Sequence, residues 1–267
     1  MRATARLLAV PDGGGGTRLG VLRSEPPLLL RRTGPRGASA EAQVHLVGGA
    51  AGPLGGDRLR LDVQVAAGAR LCVRTVAASL ALPGSTGDQS RFEVYATIAD
   101  GGRLRWLPEP LIGAAGCDHL STSTVELAEG AALVWREELV CGRHGEPVGD
   151  VRLRLTARYG GRTLLRNELA VGPRAPAWDG AAVLGEGRAV GSVLVVDPAW
   201  IGHKPLPSIV LGPTAAMMPL DTGPGMLASA VGVDLRAVRE SLAAGDVSGE
   251  TAGRACPPHR QIIAGHR

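Results

Sequence analysis

The sequence predicts a mainly β protein: stacked or meandering antiparallel strands in one large domain, with a short α-helix near the C-terminus. Three observations carry that expectation. Apolar and polar residues alternate with period two in several stretches, the pattern of a half-buried strand. Turns rich in glycine recur at intervals of about thirty residues. Gly (39) and Pro (19) are abundant in the 267 residues, which favours many short strands over a few long helices.

The alternation is clearest from Arg58 to Val65. Leu59, Leu61, Val63 and Val65 share one face, and Arg58, Arg60, Asp62 and Gln64 share the other. It returns at Phe92, Val94, Ala96 and Ile98, with Arg91, Glu93 and Tyr95 opposite. It returns again at Val151, Leu153, Leu155 and Ala157, with Arg152, Arg154 and Arg158 facing water. Gly160-Gly161 then turns the chain into Thr163–Ala170 as a hairpin. The recurring turns are Ala67-Gly68-Ala69, Asp100-Gly101-Gly102, Glu129-Gly130-Ala131 and Gly160-Gly161, and residues 1–170 read as a stack of hairpin-like layers. Gly172–Gly180 is a linker-like Pro/Gly stretch, followed by a strand at Ala189–Val196. Asp234 caps one helix, in which Leu235, Val238 and Leu242 form the apolar stripe, Arg236, Arg239 and Glu240 face out, and Gly245 ends it. The β-rich domain is therefore placed at 1–245, and 246–267, without periodicity, as a disordered tail. Aromatic residues make up only 3%, so Leu, Val and Ala must fill the core; Trp106 and Trp135 are expected there, and Trp178 and Trp200 near the linkers.

Composition narrows the function. The net charge of +4 is mild, Lys204 is the only lysine, and the aromatics that stack on bases are scarce, so no nucleic-acid partner is expected. The N-terminus lacks an apolar run followed by a cleavage site, and no run reaches the ~20 residues that cross a bilayer. Four cysteines (Cys72, Cys117, Cys141, Cys256) do not make a disulfide framework in so long a chain. Reduced thiols and a cytoplasmic location follow.

No catalytic motif is complete. No Gly-Lys-Ser/Thr follows a glycine loop, and Gly185-Glu186-Gly187 with Gly191 misses the dinucleotide spacing by one and leads into a strand. The glycines at 13–16 read as a hairpin loop. Pro83-Gly84-Ser85-Thr86-Gly87 is one residue short of a nucleophile elbow and reads as a flexible surface loop. Glu137 and Glu138 point to opposite faces of a strand. Asp57 and Glu109 are two carboxylates that one cleft could hold, the arrangement of a hydrolase or ligand-binding module. Cys117 and His119 precede one strand and Cys141 and His144 follow the next, so a hairpin turning at Glu129-Gly130 would bring both pairs to its open end, with Asp118 and Glu146 nearby. Thiols and imidazoles suit a borderline ion such as zinc or nickel; equally, buried cysteines serve as small apolar residues.

An ordered series of short motifs spans residues 40–196: Val47-Gly48, Pro53-Leu54-Gly55-Gly56-Asp57-Arg58-Leu59, Gly68-Ala69, Trp106-Leu107-Pro108-Glu109-Pro110, Leu133-Val134-Trp135-Arg136-Glu137, Gly142-Arg143-His144-Gly145-Glu146, Leu164-Leu165-Arg166-Asn167-Glu168 and Val190-Gly191-Ser192-Val193-Leu194. In this succession the chain resembles the urease accessory protein UreD (UreH) family. Arg74–Leu80 departs from the Thr-rich strand common there. The resemblance implies a non-enzymatic maturation factor, with no tightly bound cofactor, that binds urease apoprotein and works with UreF-like and UreG-like accessory proteins to deliver nickel held transiently along an internal passage. By position, Asp57 matches the family's acid after the glycines, and Glu168, or its neighbour Asn167, falls near a second acid of the passage.

Overall fold

The computed structural model describes residues 1–34, 40–203 and 207–244. Gly245, expected to end the helix, and the expected tail with Cys256, His259 and His266 lie outside the described residues, as do Lys204 and Pro205. Alternating stretches form strands where their period places them. The first half runs β1 (Arg2–Pro11), β2 (Thr17–Arg23), β3 (Leu28–Arg32), β4 (Ala42–Gly48), β5 (Arg58–Val65), β6 (Arg70–Thr75), β7 (Ser79–Ala81), β8 (Ser90–Ile98) and β9 (Arg103–Leu107). The second runs β10 (Leu111–Gly113), β11 (Asp118–Leu127), β12 (Ala132–Cys141), β13 (Asp150–Tyr159), β14 (Arg162–Val171) and β15 (Ala189–Val196). A closing segment adds β16 (Ile209–Gly212), β17 (Ala215–Pro219), β18 (Gly225–Gly232) and the helix α1 (Leu235–Ala244).

These strands make two sheets. The seven-stranded sheet has the order β14-β13-β11-β8-β5-β1-β2. The eleven-stranded sheet runs β16-β17-β18-β15-β12-β9-β6-β4-β3, with β10 beside β12 and β7 beside β10. The mainly β class and the stacking are as the sequence predicts. The antiparallel pairing is not, through the middle of the molecule: β1, β5, β8, β11 and β13 are parallel neighbours, as are β4, β6, β9 and β12. The cause lies in the turns. Those after β5, β8 and β11 do not reverse the chain within one sheet; each carries it across to the other sheet, so a strand pairs with the one a full circuit away. The spacing of about thirty residues is one such circuit, with strands of the first sheet beginning at Arg58, Ser90, Asp118 and Asp150. The corners stack on one another, as Gly68 N–H donates to Asp100 O (3.2 Å) and Ala128 N–H to Ile98 O (2.9 Å). True hairpins remain at the ends: β1–β2 around the glycines at 13–16, and β13–β14 around Gly160-Gly161.

The inward faces build the core in register. One row crosses the first sheet as Ala5, Leu61, Val94, Ser123 and Leu155, another as Leu59, Phe92, Ser121 and Leu153. Facing them, Trp106 and Trp135 stack with ring centroids 5.1 Å apart, both buried as expected. The linker-like stretch opens a longer run of turns between β14 and β15, which belong to different sheets; Trp178 within it and Leu184 just after it pack into an apolar cluster.

On the outer side of the larger sheet lies α1. Asp234 caps it, accepting from Ala237 N–H (2.8 Å), and Val238 and Leu242 are buried beneath it. Gly191 on β15 permits the close approach, because a Cβ there would lie 2.7 Å from Val238 Cγ1. Arg239 corrects the sequence reading. Instead of facing water it turns to the sheet, donating to both oxygens of Glu138 (2.9 and 2.6 Å) and to Glu109 (3.0 Å). Glu138 is almost fully buried, with 1% of its side chain exposed, and an unpaired charge there would be costly. Among the described residues, no helix is long and apolar enough to cross a membrane.

Candidate functional site

Between the sheets lies a cavity of about 640 Å³. Its wall is mostly apolar, with Leu46, Leu59, Phe92, Val94 and Trp106 among its residues, but polar side chains interrupt it on both sheets. From the first sheet come His119, Ser121 and Ser123, all on the inward face of β11; beside Ser121 and Ser123 the neighbouring strands place Phe, Val and Leu, and beside His119 they place Ser90 and Val151. From the second comes Glu137, on the inward face of β12 between Trp135 and Leu139. Asp57 lies on the wall at the turn that enters β5.

Glu137 is anchored on one oxygen: Oε1 accepts from Ser123 Oγ (3.0 Å) and Trp135 Nε1 (3.2 Å). Burial pushes its carboxyl above the usual carboxylate range, and the two donors offset only part of that shift. His119 shares a hydrogen bond between Nδ1 and Ser90 Oγ (2.9 Å). Burial lowers its pKa to about 4, so at neutral pH the ring is uncharged and able to coordinate a cation. Asp57 is engaged through both oxygens, with the Met1 amino group at 2.8 Å and the Leu54 N–H at 2.9 Å. It therefore holds its own turn while lying on the cavity wall. Gly55 belongs to the same turn for a steric reason: a Cβ there would lie 2.4 Å from Gly84 N, so the two glycine backbones pack directly. The loop at 83–87 is thus tied at Gly84, with Ser85, Thr86 and Gly87 exposed. Gly56 follows at φ +87°.

Other expected site residues are placed elsewhere. Because β11 and β12 belong to opposite sheets, the two Cys/His pairs do not meet at a hairpin's open end. Cys117 and Cys141 are buried in one apolar cluster, and burial pushes both thiols up to about 11, the state of small apolar residues. His144 is exposed on the turn after β12. Among the described residues, no three His, Cys, Asp or Glu side chains are grouped to hold a metal ion. Glu168 is exposed on β14, paired with Arg152 (3.2 Å) and Arg154 (2.8 Å), and Asn167 beside it is exposed too. Neither joins Asp57.

The remaining motif positions build the frame. Gly142-Arg143-His144-Gly145-Glu146 is a turn closed by two Arg143–Glu146 hydrogen bonds of 2.7 Å, and that pairing lowers the Glu146 carboxyl to about 2. In the segment after β9, Pro108 O accepts from Arg136 (2.8 Å), Glu109 N–H donates to Thr75 (2.9 Å), and Pro110 O accepts from Ser79 N–H (2.9 Å). Glu109 also reaches the cavity wall, but its carboxylate is taken by Arg239 and Asp57's by Met1 and Leu54.

Comparison with known proteins agrees with the motif series. The family described as UreD urease accessory protein matches residues 1–259. The chain belongs to the UreD family. The urease accessory protein UreD 3 of Streptomyces griseus is 50% identical over 245 residues, covering 91% of this chain and 94% of the relative. The UreD protein of Streptomyces avermitilis is 49% identical over 243 residues, with 91% and 95% covered. That of Parafrankia sp. is 45% identical over 262 residues, with 91% and 86% covered. With the family in hand, the pieces of the UreD motif series sort by place. The glycine turn with Asp57, and the β12 segment with Glu137, border the cavity; the Gly142–Glu146 turn and Gly191 serve the frame.

Proposed function

We propose that this UreD-family chain serves urease maturation as a scaffold that binds urease apoprotein together with UreF-like and UreG-like accessory proteins. In this reading, nickel is its cargo, and the cavity between the sheets is the route the ion takes. Family membership over nearly the whole chain supports the maturation role. The observation that supports the route is the line of polar groups, His119, Ser121, Ser123 and Glu137, set into a mostly apolar wall that also carries Asp57, Thr75, Ser79, Glu109 and Glu138.

The chemistry suits passage better than storage. A neutral imidazole and a carboxylate are both acceptable ligands for a borderline divalent ion, and two or three such groups hold it more weakly than a closed four-ligand site. An arriving cation favours the ionised form of Glu137 and so draws off its proton. Of the metal-path residues expected from the sequence, Asp57 and His119 belong to this route; Ser121, Ser123 and Glu137 join them.

Co-purification tests the maturation role. A tagged full-length chain expressed with the urease operon should retain urease subunits and the UreF-like and UreG-like proteins through washing. Recovery of the chain without any of them would overturn the scaffold reading.

A further inference from the structure

The outer face of the seven-stranded sheet is rich in arginine, and five of these side chains are paired with carboxylates of the face. Arg6 and Arg60 lie on Asp62 (3.8 and 2.8 Å), and Arg60 also stacks over Tyr95. Arg152 and Arg154 share Glu168, and Arg158 meets Glu126 at 3.8 Å. One row differs. Arg2, Arg58 and Arg91 stand in register on the adjacent parallel strands β1, β5 and β8, and none of the three has an acidic partner among the described residues. Strand spacing places their Cα atoms about 5 Å apart from one strand to the next. Like charges directly opposite each other across strands repel, so such a row destabilises the sheet by itself. Arg91 carries a second mark: its Nε is shielded from solvent and has no hydrogen-bond partner. A buried donor left unmade is likewise unfavourable.

We propose that the row Arg2–Arg58–Arg91 is a docking site for an acidic segment of a partner polypeptide. Carboxylates laid across the row would relieve the repulsion and give each guanidinium a charge-assisted hydrogen bond. The row ends at Leu120, the register neighbour of Arg91 on β11, and the next row along the strands carries Glu93. So short a basic track, bordered by a carboxylate and without an aromatic in the row, fits a few spaced acidic side chains and not a nucleic-acid backbone. Its position adds a consequence. Arg58 directly follows Asp57 of the cavity wall, so a partner held there sits beside that end of the cavity. The proposal rests on charge pairing alone and does not depend on what the cavity carries.

The test is fluorescence anisotropy of the full chain with a short labelled peptide alternating Glu and Ser. A Gln/Ser peptide and a single-stranded DNA serve as comparisons. The variant Arg58→Gln/Arg91→Gln should weaken binding of the acidic peptide about tenfold and reduce its salt dependence. Arg166→Gln, which changes an exposed arginine on the edge strand of the same sheet opposite Thr156, should alter binding by less than about twofold. The double variant should unfold at the same or a higher urea concentration, because it removes repulsion. If it does not fold, Arg58→Gln alone, at an exposed position, should show a smaller loss in the same direction. An equal loss in Arg166→Gln, wild-type binding no stronger than for the Gln/Ser peptide, or tighter binding of DNA would each overturn the proposal.

Discussion

Replacing Arg239 with methionine should cost about 3 kcal/mol of folding stability. The methionine keeps the stem that packs between helix and sheet but removes the guanidinium. Glu138, 1% exposed, then keeps only Arg136, whose Nε stands at 3.8 Å. That contact is a poor substitute, since Arg136 Nε is buried without a hydrogen bond. Part of the loss should be recovered by adding Glu138→Gln, because the second change removes the charge that the first leaves stranded. Urea denaturation of the two single variants and the double variant gives the comparison. Purely additive losses would show that Glu138 and Arg239 are not energetically coupled.

Acid should destabilise the metal-free chain before its carboxylates titrate, and His119 should be the main cause. Its pKa falls from 6.5 in the unfolded chain to about 4 in the folded one, chiefly through burial, with Asp118 opposing. Between those values the unfolded chain binds a proton that the folded chain refuses, so stability is lost as pH falls from 6.5 towards 4. The full difference corresponds to about 3 kcal/mol. His119→Gln, which cannot be protonated, should flatten this limb when denaturation midpoints are compared at pH 7.5 and pH 4.5. Glu146 titrates lower, its stabilising pair with Arg143 being lost only as pH falls from 4.5 towards about 2. Glu137 acts in the opposite sense: its raised pKa favours the folded state at low pH and is a penalty once pH rises past it. An unchanged acid limb in His119→Gln would place the sensitivity elsewhere.

The strands were legible because alternation marks an inward and an outward face whatever the pairing. β5 and β15 begin and end where the sequence places them. Pairing was not legible from alternation, since Leu59, Leu61, Val63 and Val65 would face a core equally well in a hairpin or in a coil. The spacing of the corner glycines held that information, but only as a circuit length. In the site, Asp57 is reached through the family resemblance at its glycine turn, whereas His119 is singled out for a cluster with Cys117, Cys141 and His144 that the fold does not assemble. Ser121 and Ser123 are not singled out from the sequence, and Glu137 is weighed there only beside Glu138, although their signal is present. From His119 to Leu127, the inward positions of β11 run His, Ser, Ser, Val, Leu, and polar residues at core positions of a strand ask for an internal polar partner. For Ser123 that partner is Glu137, flanked by Trp135 and Leu139, and for His119 it is Ser90 on β8.

The route through the cavity is tested most directly by plugging it. Ser121→Phe adds an aromatic ring beside Phe92 and Leu153, its register neighbours on the cavity wall. Urease should then be isolated from nickel-fed cells carrying this variant with the full accessory set, and its nickel content measured by mass spectrometry. If nickel passes between the sheets, the variant still co-purifies with urease while the enzyme comes out largely empty of metal. Urease fully loaded with nickel beside a plugged cavity would contradict the route.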